Sequence, residues 1–99
     1  MMRGTTPLHV FTLPFSTTLI KNLRVIYSQQ DEPVLKKELE DCTLNGNTIE
    51  VKLSQADTFS FDSKYPVEIQ VRVLTNTDDA LASLPQRVGV DRCLENEVL

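Results

Sequence analysis

The residues able to do chemistry are few and scattered. There is one histidine, His9, and there are two cysteines, Cys42 and Cys93. A structural zinc site wants a full tetrahedral set of such ligands, which these three residues cannot supply. A lone histidine with no nucleophile or orienting acid near it in sequence completes no catalytic set. Adjacent carboxylates occur at Asp31-Glu32, Glu40-Asp41 and Asp78-Asp79. All fall where turns are expected, and a calcium site needs about six to eight oxygens converging from several loops. The only glycines are Gly4, Gly46 and Gly89, so no phosphate-cradling loop can be written. No serine stands in a nucleophile-elbow context. The expectation is a non-enzymatic protein with no catalytic residues, no cofactor and no metal.

The elements that would position any site are strands. Thr48 to Val73 organises the chain. Ile49, Val51 and Leu53 alternate with Glu50 and Lys52, and Val67, Ile69, Val71 and Val73 alternate with Glu68, Gln70 and Arg72. A period of two is what a half-buried antiparallel strand needs. Ser54 to Phe61 lies between and can carry the chain from one sheet to the facing one. Ser54 and Asp57 have the spacing of a capping box, which predicts a single helical turn there. Phe59 and Phe61 are expected on one face of an extended segment, as core fillers.

Leu8–Leu13 reads as a first strand with His9, Phe11 and Leu13 on one face, ended by Pro14. A short helical turn fits Thr17–Ile20. Leu23–Ser28 is a second strand with Leu23, Val25 and Tyr27 inward, followed by a polar turn over Gln29–Pro33. Val34–Leu39 is a third, whose Lys and Glu residues suit a protected edge. Asn45-Gly46 predicts a tight hairpin between Cys42–Leu44 and Thr48 onward, with positive φ at both turn residues. Asn76–Asp79 is a second hairpin turn, without glycine. Ala80–Val90 returns as the last strand, interrupted by Pro85, with a bulge or close approach at Gly89.

Ninety-nine residues make one domain. Residues 1–90 are expected to form the sandwich and residues 91–99 an acidic C-terminal tail. Hydrophobic residues at 40% and charged residues at 24% exclude general disorder. A net charge of −4 argues against nucleic acid as partner. No apolar run approaches a membrane span, and the N-terminus lacks the apolar core of a signal peptide. Synthesis in the cytoplasm follows, with two reduced thiols. Short strands at regular spacing favour an all-β antiparallel sandwich, immunoglobulin-like or fibronectin-like, of six to seven strands.

Val51-Lys52-Leu53-Ser54-Gln55-Ala56-Asp57-Thr58-Phe59-Ser60-Phe61, followed by Val67-Glu68-Ile69-Gln70-Val71-Arg72-Val73, resembles small proteins encoded by Gram-positive phages and prophages. Arg3-Gly4-Thr5-Thr6-Pro7 and Glu97-Val98-Leu99 look similar as well. The strand–corner–strand pattern is also similar to the immunoglobulin-like N-terminal domain of phage baseplate upper proteins. The resemblance implies a structural or assembly role in a tail or baseplate. It implies protein partners, whether copies of itself in a homo-oligomer or other phage components, and location in the host cytoplasm or the virion. Leu94, Glu95, Glu97, Val98 and Leu99 of the tail are the expected partner-binding residues. Two other readings stay open. One is a soluble prophage-encoded modulator that binds a host protein. The other is a carbohydrate-binding adhesion module, which requires an exposed cluster among Phe11, Tyr27, Phe59, Phe61 and Tyr65.

Overall fold

Alternating apolar residues build two antiparallel sheets that face each other across one core. The computed structural model describes residues 1–99. In chain order the strands are β1 (Leu8–Thr12), β2 (Ile20–Gln29), β3 (Glu32–Glu38), β4 (Cys42–Asn45), β5 (Thr48–Lys52), β6 (Val67–Thr75), β7 (Ala80–Ala82) and β8 (Gln86–Val88). One short helix, α1 (Gln55–Phe59), joins β5 to β6. One sheet runs β1-β5-β4; the other runs β3-β2-β6-β7, with β8 also on β6. The fold is an all-β sandwich of eight strands rather than six or seven. The extra count arises because Ala80–Val90 is split: β7 and β8 share one edge of β6, with register stepping by one residue between them.

With β1 to β7 lettered B, C, C′, D, E, F and G, the pairings follow the immunoglobulin order D-E-B and C′-C-F-G. The strand lettered A in those domains is reduced to a single parallel bridge, Met2 to Asp91. The rest of Met1–Pro7 packs on α1.

The core is Leu23, Val25 and Tyr27 on β2, Ile49 and Val51 on β5, Leu53, Phe61, and Val67, Ile69, Val71 and Val73 on β6. Seven of these eleven come from the alternating runs on either side of α1. Each such burial stabilises the fold by roughly 1.5–3 kcal/mol. Ser54 and Asp57 form the capping box: the Ser54 N–H donates to the Asp57 carboxylate at 2.9 Å, and the Asp57 N–H donates to Ser54 Oγ at 3.0 Å. The helix stops after one turn, and β6 starts in the opposite sheet.

Four local expectations are corrected. The Asn-Gly hairpin is displaced by one residue: Asn45 pairs with Thr48, so Gly46 and Asn47 form the loop. Only Gly46 has positive φ, at 58°, the pattern of a turn with glycine first. Gln29–Pro33 is not a long turn. Gln29 pairs with Glu32, leaving Gln30 (φ 51°) and Asp31 (φ 64°) as a two-residue turn with both residues left-handed and neither a glycine. Gln29 itself is buried and saturated: its Nε2 donates to the carbonyls of Asp62 and Tyr65, and its Oε1 accepts from the Asp62 N–H. Strand β3 starts two residues earlier than expected and ends at Glu38, because Leu39–Asp41 turns as a 3-10 helix. Phe59 and Phe61 do not share a face. Phe59 ends α1 and is half-buried, while Phe61 enters the core.

Candidate functional site

Half-buried polar groups collect where the sheets meet. Register places His9 and Cys42 opposite Val51 on its two sides, so both share its inward face. His9 Nδ1 lies 2.8 Å from Tyr27 Oη, with ring centroids 5.6 Å apart. Tyr27 is fully buried and this is its only polar partner. A buried phenol O–H needs an acceptor, so Tyr27 donates to a neutral imidazole. Burial, and next the nearby amino group of Met1, holds His9 below its ordinary 6.5, which favours that neutral form. Burial, with smaller contributions from Cys42 and Asp57, pushes the Tyr27 phenol well up. Burial and the Asp41 carboxylate push the Cys42 thiol up to about 11. At neutral pH Cys42 is thus a protonated thiol, and its Sγ–H donates to the Glu38 carbonyl at 3.3 Å.

Lys37 stands opposite Val25, so it points inward from the edge strand β3. Its Nζ meets Asp57 Oδ2 at 2.9 Å, with both side chains about one-fifth exposed (19% and 17%). Burial alone would raise the Asp57 carboxyl. The Ser54 N–H, the Lys37 ammonium and the Ser54 hydroxyl outweigh it and hold the group below its ordinary value. These contacts hold α1 against β3. They act as tethers between the helix and the edge strand.

The N-terminal strap packs on the other side of α1. The hydroxyl of Thr58, fully buried, accepts from the Gly4 N–H and donates to the Thr5 carbonyl, both at 2.9 Å. Gly4 has φ 80°, and a Cβ there would stand 2.6 Å from the Phe59 ring, so only glycine fits. The Arg3 guanidinium lies over that ring, 5.5 Å from its centroid, and donates to the Phe59 carbonyl at the end of the helix and to Asn96 Oδ1.

The C-terminal segment follows the strap. Asp91 exchanges backbone bonds with Met1 and Arg3. Beyond it the chain is held by the Arg3–Asn96 bond and by the Leu99 N–H donating to Gln55 Oε1. Leu94 (94%), Val98 (60%) and Leu99 (97%) face outward. Glu95 and Glu97 are exposed as well and form no ion pair. Leu94, Glu95, Glu97, Val98 and Leu99, the residues expected from sequence to meet a partner, are all exposed. The aromatic side chains do not gather: Tyr27 and Phe61 are in the core, Phe11 and Phe59 are half-buried, and Tyr65 alone is exposed.

The outer face of the larger sheet holds a feature that sequence reasoning missed. Arg24 and Arg72 are cross-strand partners on β2 and β6. Like charges directly opposite one another destabilise a sheet. Glu38 relieves one of them, meeting Arg24 Nε at 2.9 Å. Arg72 is exposed, pairs with Ala82 on its other side and has no ion-pair or side-chain hydrogen-bond partner. A shallow groove of about 260 Å³ runs beside both arginines, with Asn22, Leu74 and Ala80 also in its lining. Neither the facing of Arg24 and Arg72 nor the groove is readable before the register of β2 on β6 is known. Comparison with family models, with curated proteins and with solved structures returns no match.

Proposed function

We propose that this protein is a non-enzymatic assembly module of the phage or prophage tail and baseplate type, working by contact with other protein chains. The observation that carries the reading is the segment Arg92–Leu99. It is tethered by the Asn96 side chain, which accepts from Arg3, and by the Leu99 N–H, which donates to Gln55 Oε1, while Leu94, Val98 and Leu99 turn to solvent. Terminal residues with exposed apolar side chains suit docking on a neighbour. The resemblance of Val51–Phe61 and Val67–Val73 to small phage proteins names the kind of neighbour.

Deletion of Arg92–Leu99 keeps the Asp91 bonds and removes the docking residues. The full chain is expected to associate with itself or to be captured by virion fractions, and the shortened chain to do neither. Equal behaviour of the two chains overturns the reading. Capture by host lysate in place of virion fractions turns it into the modulator reading.

A further inference from the structure

We propose that the Arg24–Arg72 groove receives the acidic C-terminal segment of a second copy of this chain. The inference rests on the assembly reading above and names the partner and the docking place. Three observations converge. First, the outer face of β3-β2-β6-β8 carries Arg24, Lys36, Arg72 and Arg87 against only Glu38 and Glu68, although the whole chain is at −4. Glu68 lies 4.0 Å from Arg87 and Glu38 is engaged by Arg24 Nε, so the unmatched charge sits at Arg72, the outer nitrogens of Arg24, and Lys36. Second, Cys93–Leu99 carries two carboxylates, Glu95 and Glu97, and no cation. Neither carboxylate has a partner within its own chain. Third, the segment and the groove mix charge with apolar surface in the same way. Leu94, Val98 and Leu99 are exposed on one, and Leu74 and Ala80 line the other.

Docking places Glu95 or Glu97 across the two guanidiniums. That removes the cross-strand repulsion that Glu38 leaves half relieved. Arginine suits the task because its fork accepts a carboxylate on two parallel N–H groups. The leucines and valine then cover Leu74 and Ala80. Only two hydrogen bonds hold the segment on its own chain, so little is lost when it docks elsewhere. One copy offers the groove and the next offers the tail, so a closed dimer and a longer row of copies are both compatible with this contact.

The test is self-association of the full chain at low salt, followed by sedimentation or native mass. Arg72→Glu is expected to weaken association by roughly tenfold or more, the size of one lost charge contact of about 1.4 kcal/mol. The substitution puts a carboxylate beside Arg24, so the fold is kept, and a thermal melt checks this. Adding Glu95→Arg and Glu97→Arg to the same chain is expected to restore association in part, because the charge at Arg72 is reversed while Arg24 keeps its own. Association that needs Arg92–Leu99 but ignores Arg72→Glu overturns the groove and leaves the assembly reading standing. A chain that stays monomeric at every concentration overturns the second copy as partner; the virion capture above then decides the broader reading by itself. Binding of a DNA oligonucleotide through Arg72, with no dependence on the tail, also overturns the inference.

Discussion

Strands β3 and β1 are both edges, and they differ in how they meet solvent. β3 carries Pro33, a register shift opposite Tyr27 and Ser28, and the inward lysine Lys37 tied to Asp57. These are the devices by which sheets avoid adding foreign strands. β1 has none of them. Leu8–Thr12 contains no proline, no lysine or acid, and no bulge, and Leu8 and Val10 are more than half exposed on its outer face. The Leu53 N–H bonds the Pro7 carbonyl and the Leu13 N–H bonds the Asn47 carbonyl. That parity sends the backbone groups of Leu8, Val10 and Thr12 away from β5. The open edge is where an immunoglobulin domain would have its first strand. The same alternation thus yields a guarded edge or an open one, and the difference is set by one inward-pointing charge and by where the N-terminal strap goes.

The sharpest way to break this comparison is proline substitution on β1. Phe11→Pro removes a donor aimed at β5 together with a half-buried ring, and is expected to lower stability by about 3 kcal/mol in urea unfolding. Lys37→Val should make β3 resemble β1. Removing one partner leaves the part-buried Asp57 carboxylate with only its Ser54 bonds, so stability is expected to fall by about 2 kcal/mol. Light scattering on warming should also rise, because an unguarded edge now faces solvent; unchanged scattering would show that Lys37 is no guard.

The two edges should also separate by pH. His9, on β1, has a native value below 6.5. As pH falls through 6.5 toward that native value, the unfolded chain binds the extra proton first, so stability drops. Asp57, beside β3, is lowered from 3.8, so its contribution is present above that value and fades only as pH falls below it. Urea midpoints between about pH 7.5 and pH 5 should therefore decline in the wild type and flatten in His9→Asn. A slope unchanged by that substitution would assign it to another group. The smallest effect is expected for Val10→Pro. Its N–H has no partner in β5, so stability should move by about 0.5 kcal/mol or less. Equal losses for Val10→Pro and Phe11→Pro would contradict the stated parity.

Much of this was legible from local chemistry. The alternation around Ile49–Leu53 and Val67–Val73 marks two core strands whatever they pair with, and Ser54–Asp57 marks the turn between them. What escaped notice depends on partners distant in sequence. Gln29 reads as a turn residue until the carbonyls of Asp62 and Tyr65 are brought to it. Lys37 reads as one more solvated lysine until Asp57 arrives beneath it. Leu94, Val98 and Leu99 are readable from sequence as apolar anchors in an acidic segment.

By itself the sequence determined that Ile49, Val51 and Leu53 and the odd positions of Val67–Val73 would enter a core, and that a turn would separate the two runs. Those follow from side-chain period and from the conformations of neighbouring residues, which are local properties. Only tertiary structure decided which strands lie side by side, and hence that Arg24 meets Arg72 and that β1 keeps a free edge. Register joins residues about fifty positions apart, and no short-range preference of the chain encodes that meeting.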